Sequence, residues 1–141
     1  MKPSMFVAAS AAVILLLGLV HLWYTFRGPM LHPRDPELTA KMMTVSPVIT
    51  QESTIWRLWI GFNATHSFGL ILFGALFGYL AMRHRAFLFH SWFLLALGFA
   101  LLLSYAVVSK LYFFTSPFRG IVVATVLYLI GIVFNVAQSK S

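Results

Sequence analysis

The chain has 141 residues, 60% of them hydrophobic and only 9% charged, with a mean hydropathy of +0.89. A water-soluble domain carries roughly 25% charged residues, so this composition excludes a soluble enzyme or soluble binding module and points to lipid as the solvent. The formal net charge is +7, from ten Lys and Arg against three Asp and Glu, but the basic residues stand in ones and twos at the ends of apolar segments. Placed there they meet lipid head groups, and no cluster marks a nucleic-acid surface.

The first apolar segment runs from about Ser4 to Phe26 and ends in the aromatics Trp23, Tyr24 and Phe26, an interfacial anchor. Lys2 ahead of an apolar run imitates a signal peptide. The apolar stretch is longer than an h-region and lacks a small-x-small cleavage site, which predicts a retained helix. A polar stretch, 27–54, follows. Within it Asp35-Pro36-Glu37 is a helix start: an N-cap acceptor, a proline at the first helical position and an acid at the positive end of the dipole. Leu38, Met42, Val45 and Ile49 then recur at spacings of 4, 3 and 4, an apolar stripe that Pro47 interrupts. Such a segment is either an amphipathic helix lying in the membrane interface or a lid carrying Arg34, Asp35 and Glu37 over a pocket.

Three further spans are expected at about 55–82, 86–114 and 117–137, the last with Pro117 in its first turn. Each exceeds the roughly 20 residues that a hydrocarbon core demands. Arg83-His84-Arg85 and Thr115-Ser116 are turns so short that consecutive helices must be antiparallel. The fold class read from the sequence is all-α: a four-transmembrane-helix antiparallel bundle, one membrane domain over 1–141, with a short amphipathic helix in its first loop. Arg27, Arg34, Lys41, Arg57, Lys110 and Arg119 fall on the long-loop side, against Lys2, Arg83, Arg85 and Lys140 on the other. The count favours a cytoplasmic loop, but it is a tie once Arg57 and Lys110 are set aside as helix-end residues.

Small residues let helix backbones approach in lipid. Gly74 and Gly78 form one such pair, Ala96, Ala100 and Ser104 a second ladder, and Gly120, Ala124, Tyr128, Gly131 and Asn135 a third. All three are read as packing surfaces, inside the bundle or between copies.

The chemistry-bearing stretch opens the second span. Trp59, Asn63 and His66 are spaced 4 and 3 and share a helix face, with Ser67 one turn beyond Asn63. On the first helix His21 and Tyr24 share a face by the same rule. Measured from the loop side, His21 lies about 9 Å from Arg27 and His66 about 13 Å from Arg57 at ~1.5 Å per residue. The two histidines are therefore expected at similar depth. Ionisable groups in a membrane are costly and face one another or a cavity. One reading makes this set an interhelical hydrogen-bond clasp. Another makes His21, Tyr24, Arg57, Trp59, Asn63, His66 and Ser67 the lining of a pocket for a lipophilic ligand such as a quinone or lipid. A third makes His21 and His66 the axial pair of a haem. Arg57 offers a bidentate fork to a carboxylate or phosphate, or to Asp35 or Glu52 of the loop. His32, Asp35 and Glu37 show no metal-ligand spacing, and His84 and His90 are expected to be exposed.

The segments HLWYTFRG (21–28), LHPRDPEL (31–38) and TIWRLWIGFNATHSFGLILFG (54–74) resemble a bacterial family of small four-helix integral membrane proteins. That likeness implies residence in a bacterial inner membrane and singles out His21, Tyr24, Arg34, Asp35, Trp56, Arg57, Trp59, Asn63 and His66. It implies no mechanism. In architecture the chain also resembles the membrane-associated glutathione and eicosanoid enzymes, whose second helix carries arginines, an asparagine and then a glutamate. Arg57, Asn63 and His66 echo that order with histidine in place of the acid, which implies thiol conjugation as the enzyme alternative. The primary expectation is non-enzymatic: a structural or accessory subunit, associated with copies of itself or with other membrane subunits.

Overall fold

The computed structural model describes residues 2–139, so Lys140, one of the four basic residues on the side away from the long loop, lies outside the described residues. Six helices follow one another: α1 (Pro3–Phe26), α2 (Pro36–Thr44), α3 (Ile55–Arg83), α4 (Arg85–His90), α5 (Trp92–Tyr112) and α6 (Thr115–Gln138). No strand occurs among the described residues. α1, α3, α5 and α6 are long and apolar enough to cross a bilayer. Even the shortest of these, α5 with 21 residues, measures roughly 32 Å at ~1.5 Å per residue, against a hydrocarbon core of about 30 Å. The protein is an all-α, multi-pass integral membrane protein.

Its contacts fall into two compact units, residues 18–69 and residues 2–17 with 70–139; α1 and α3 each contribute to both. The larger unit holds the apolar core. Val7, Ala11 and Ile14 of α1 are buried there with Phe73 and Phe77 of α3, Leu95 and Leu102 of α5, and Ala124 and Tyr128 of α6. Phe73 and Phe77 stack at 4.6 Å, and Tyr128 meets Phe77 edge-on at 5.8 Å. The fully buried Tyr128 hydroxyl donates to the Leu95 carbonyl at 3.2 Å, which gives a phenol in an apolar core its required acceptor.

Two of the three small-residue ladders pack inside this unit. A Cβ on Gly74 would stand 2.6 Å from Leu15 Cβ and 2.7 Å from the Ala11 carbonyl, so α1 and α3 meet at a distance only glycine permits. On α6, Ala124, Tyr128 and Gly131 are buried, and Gly131 faces Val7 and the Pro3 carbonyl. The remaining ladder turns away: Ala96, Ala100 and Ser104 are exposed, while Leu95, Gly98, Leu102 and Ser109 form the buried side of α5. Gly98, absent from the expected ladder, lets the Tyr128 hydroxyl and the Phe77 ring approach.

Three boundaries differ from the sequence reading. The third span is broken at Ser91, which is extended (φ −96, ψ 92) and caps α5 by accepting from the Leu94 N–H at 3.3 Å. A serine with an oxygen placed for the next turn's orphan N–H competes with helix continuation. α6 starts at Thr115, two residues before Pro117, so the proline keeps its first-turn place without opening the helix. α2 stops at Thr44, with Val45 already extended, so Val45 and Ile49 fall outside the helix and the stripe is cut after Met42.

Candidate functional site

The polar residues gather within 18–69. α1 ends at Phe26, and Gly28, with φ +82, supplies the left-handed turn that starts the loop. Asp35 caps α2 by accepting from the Glu37 N–H at 2.9 Å, and the chain returns to α3 through Ile55, whose N–H donates to Val45 at 2.9 Å. Two tryptophans from the first turns of α3 hold the loop. The Trp59 indole donates to the Leu31 carbonyl at 3.1 Å, and Trp56 meets the His32 ring edge-on at 4.7 Å.

Below this level α1 and α3 are joined by their side chains. His21 Nε2 and Asn63 Oδ1 lie 3.0 Å apart. Asn63 Nδ2 donates to the Trp59 carbonyl at 2.8 Å, which orients the amide so that Oδ1 faces the histidine. An amide oxygen only accepts, so His21 carries a proton on Nε2. Ser67, fully buried, donates to the Asn63 carbonyl at 2.9 Å. Thr25 donates to the His21 carbonyl at 2.8 Å. The His66 ring meets that of His21 edge-to-face at 5.3 Å, so the two histidines do share a depth.

The expected constellation thus comes together in part. His21, Asn63, His66 and Ser67 form one group, with Trp59 joined through its carbonyl and its indole. Tyr24 is not in it: the inward position on α1 belongs to Thr25, 5% exposed, whereas Tyr24 is 37% exposed. Arg57 is exposed at the start of α3. Arg34, Asp35 and Glu37 are exposed on the loop, and α2 buries no residue. His84 and His90 are exposed, as expected, with His84 against Tyr79 and His90 bonded to the Ala86 carbonyl. The Leu31 carbonyl and Thr25 were missed. Thr25 had a signal, its place one turn after His21, where a hydroxyl can bond back to the i−4 carbonyl; Leu31 contributes only backbone and had none.

An axial haem pair must hold a porphyrin between two coordinating nitrogens. His21 and His66 instead touch edge-to-face, and His21 Nε2 is committed to Asn63. Among the described residues no three His, Cys, Asp or Glu side chains assemble as a metal site. The arrangement is suited to clamping two helices, and it presents half-buried imidazoles beside the exposed aromatics Trp59 and Phe62. Comparison of the chain with protein-family profiles, curated proteins and solved structures gave no match.

Proposed function

We propose that this protein is a small accessory or scaffold subunit of a membrane assembly, resident in a bacterial cytoplasmic membrane. The observation that carries this reading is how the polar cluster spends its hydrogen bonds. Both ends of the Asn63 amide, Nε2 of His21 and the hydroxyls of Ser67 and Thr25 all go to partners within the chain. The His21–Asn63 bond ties α1 to α3, the others return within their own helices, and together they leave little polar capacity for a substrate. The outward ladder Ala96, Ala100 and Ser104 supplies a face for association, since small residues allow a second transmembrane helix to approach. The Ser104 hydroxyl is returned to the Ala100 carbonyl at 2.8 Å, which keeps that face free of unsatisfied polar groups.

The test is the associated state of the protein, purified in mild detergent and extracted in native nanodiscs. A stable oligomer or a stoichiometric membrane partner is expected, and Ala100→Phe should disperse it by preventing close helix approach. A partner-free monomer in both media would refute the reading.

A second reading, a pocket for a quinone or similar lipophilic ligand, draws support from the half-buried His66 and His21 beside Trp59 and Phe62. It requires a small molecule retained in native mass spectra and lost in His66→Ala.

A further inference from the structure

At the end of the larger unit where α1 begins, two recesses of about 330 and 430 Å³ share Lys2, Ser4 and Arg85 among their lining residues. The first also contains Asn135 and Gln138 of α6; the second contains Arg83, Met5 and Ala8. Three full positive charges therefore border this surface. The three acidic side chains, Asp35, Glu37 and Glu52, all lie in the loop between α1 and α3, so no lining side chain among the described residues is a carboxylate. Helix-end partial charges, about half an elementary charge each, do not change that balance. The N-termini of α1 and α4 contribute with one sign, the C-termini of α3 and α6 with the other.

Two donors at this place have no hydrogen-bond acceptor among the described residues. Ser4 is 9% exposed, lines both recesses, and its hydroxyl has no hydrogen-bond partner among the described residues. Its backbone N–H lies in the first turn of α1, where no preceding helical carbonyl exists to receive it. The Ser4 hydroxyl and a first-turn N–H, beside a lysine and a forked guanidinium, form a donor set for an anion with several oxygens. Met5, half exposed, and Ala8 continue the second recess along α1 toward the apolar part of the span.

We propose that this surface binds the phosphodiester headgroup of an anionic phospholipid. Its phosphate oxygens accept from Lys2, Arg85 and Ser4, and an acyl chain lies against Met5 and Ala8. The site shares no residue with the His21–Asn63 cluster and does not depend on the function proposed above.

The experiment is native mass spectrometry of the full chain in detergent with equal amounts of phosphatidylglycerol and phosphatidylcholine. The intact protein should retain phosphatidylglycerol preferentially. Arg85→Gln should lower that preference about fivefold, the effect of one surface charge near an anionic lipid. Ser4→Ala, which leaves charge unchanged, should lower it measurably, and Arg34→Gln in the loop should leave it within about twofold. Equal retention of the two lipids by the unaltered protein overturns the proposal without reference to any variant. So does a preference that survives both Arg85→Gln and Ser4→Ala, or one that falls as far in Arg34→Gln. Loss of the preference in millimolar inorganic phosphate would assign the site to a free anion and overturn the lipid as its ligand.

Discussion

At the scale of single residues the most consequential side chain is Asn63. Its amide donates to the Trp59 carbonyl on its own helix and accepts from His21 on the neighbouring one, so helix geometry fixes the orientation of an interhelical bond. Removing either partner exposes the other to an apolar surround, and the two losses should not add. In a double-mutant cycle of His21→Ala and Asn63→Ala, unfolding in bicelles should give a coupling of about 0.6–2 kcal/mol. A coupling near zero would mean that the bond contributes nothing to helix association. The same scale shows a limit of periodicity. His21 and Tyr24 are three apart and Thr25 is four from His21, and both spacings put a side chain on the histidine's face. The folded chain buries Thr25 and leaves Tyr24 exposed.

At the scale of elements, glycine has opposite meanings in two places on α3. A Cβ at Gly74 would meet Leu15 and the backbone oxygen of Ala11, neither of which can move without moving α1. At Gly61 it would meet nothing within 4 Å. Gly74→Ala should therefore destabilise the protein by about 1–3 kcal/mol through overpacking. Gly61→Ala should stabilise it by about 0.5–1 kcal/mol, because alanine loses less backbone entropy on entering a helix. Thermal or denaturant unfolding of the two variants reads the difference in sign, and the same sign for both would contradict the packing argument. α5 carries the corresponding lesson about ladders. Gly98 sits on the buried side and the Ala96–Ala100–Ser104 row on the exposed one. Either row meets the compositional requirement for close packing, so only the neighbouring Tyr128 and Phe77 distinguish them.

At the scale of the whole molecule, four crossings put the two ends of the described chain on one side of the membrane. By the parity of crossings, the loop containing α2 and the α5–α6 turn are expected on the other side. The chain has no cysteine, so single substitutions report this directly. His84→Cys and Ser139→Cys should react with an impermeant thiol reagent from one face, and Thr44→Cys and Ser116→Cys from the opposite face. Labelling of Thr44→Cys and His84→Cys from the same face would remove α3 as a crossing. Which face is cytoplasmic is read from the same experiment in intact cells and settles the near tie in basic residues.

The sequence by itself determined the solvent, the number of crossings and the neighbourhood of the polar cluster. Segment length, charge depletion and the need to satisfy every backbone group in lipid leave no alternative to helices. Comparable distances from the loop, about 9 and 13 Å at ~1.5 Å per residue, also placed His21 and His66 near one depth. The α2 start at Asp35-Pro36 was legible because a cap is a local interaction. Tertiary structure decided what depends on partners from other elements. Ser91 breaks the third span because its hydroxyl is used by Leu94, and α2 ends at Thr44 before its apolar stripe is complete. Thr25 replaces Tyr24 on the inward face, and Leu31 is recruited only through its carbonyl. Lys2, Ser4 and Arg85 converge although 80 residues separate the last two. Sequence periodicity specifies the faces of each helix, but the distances between faces arise only when the helices pack.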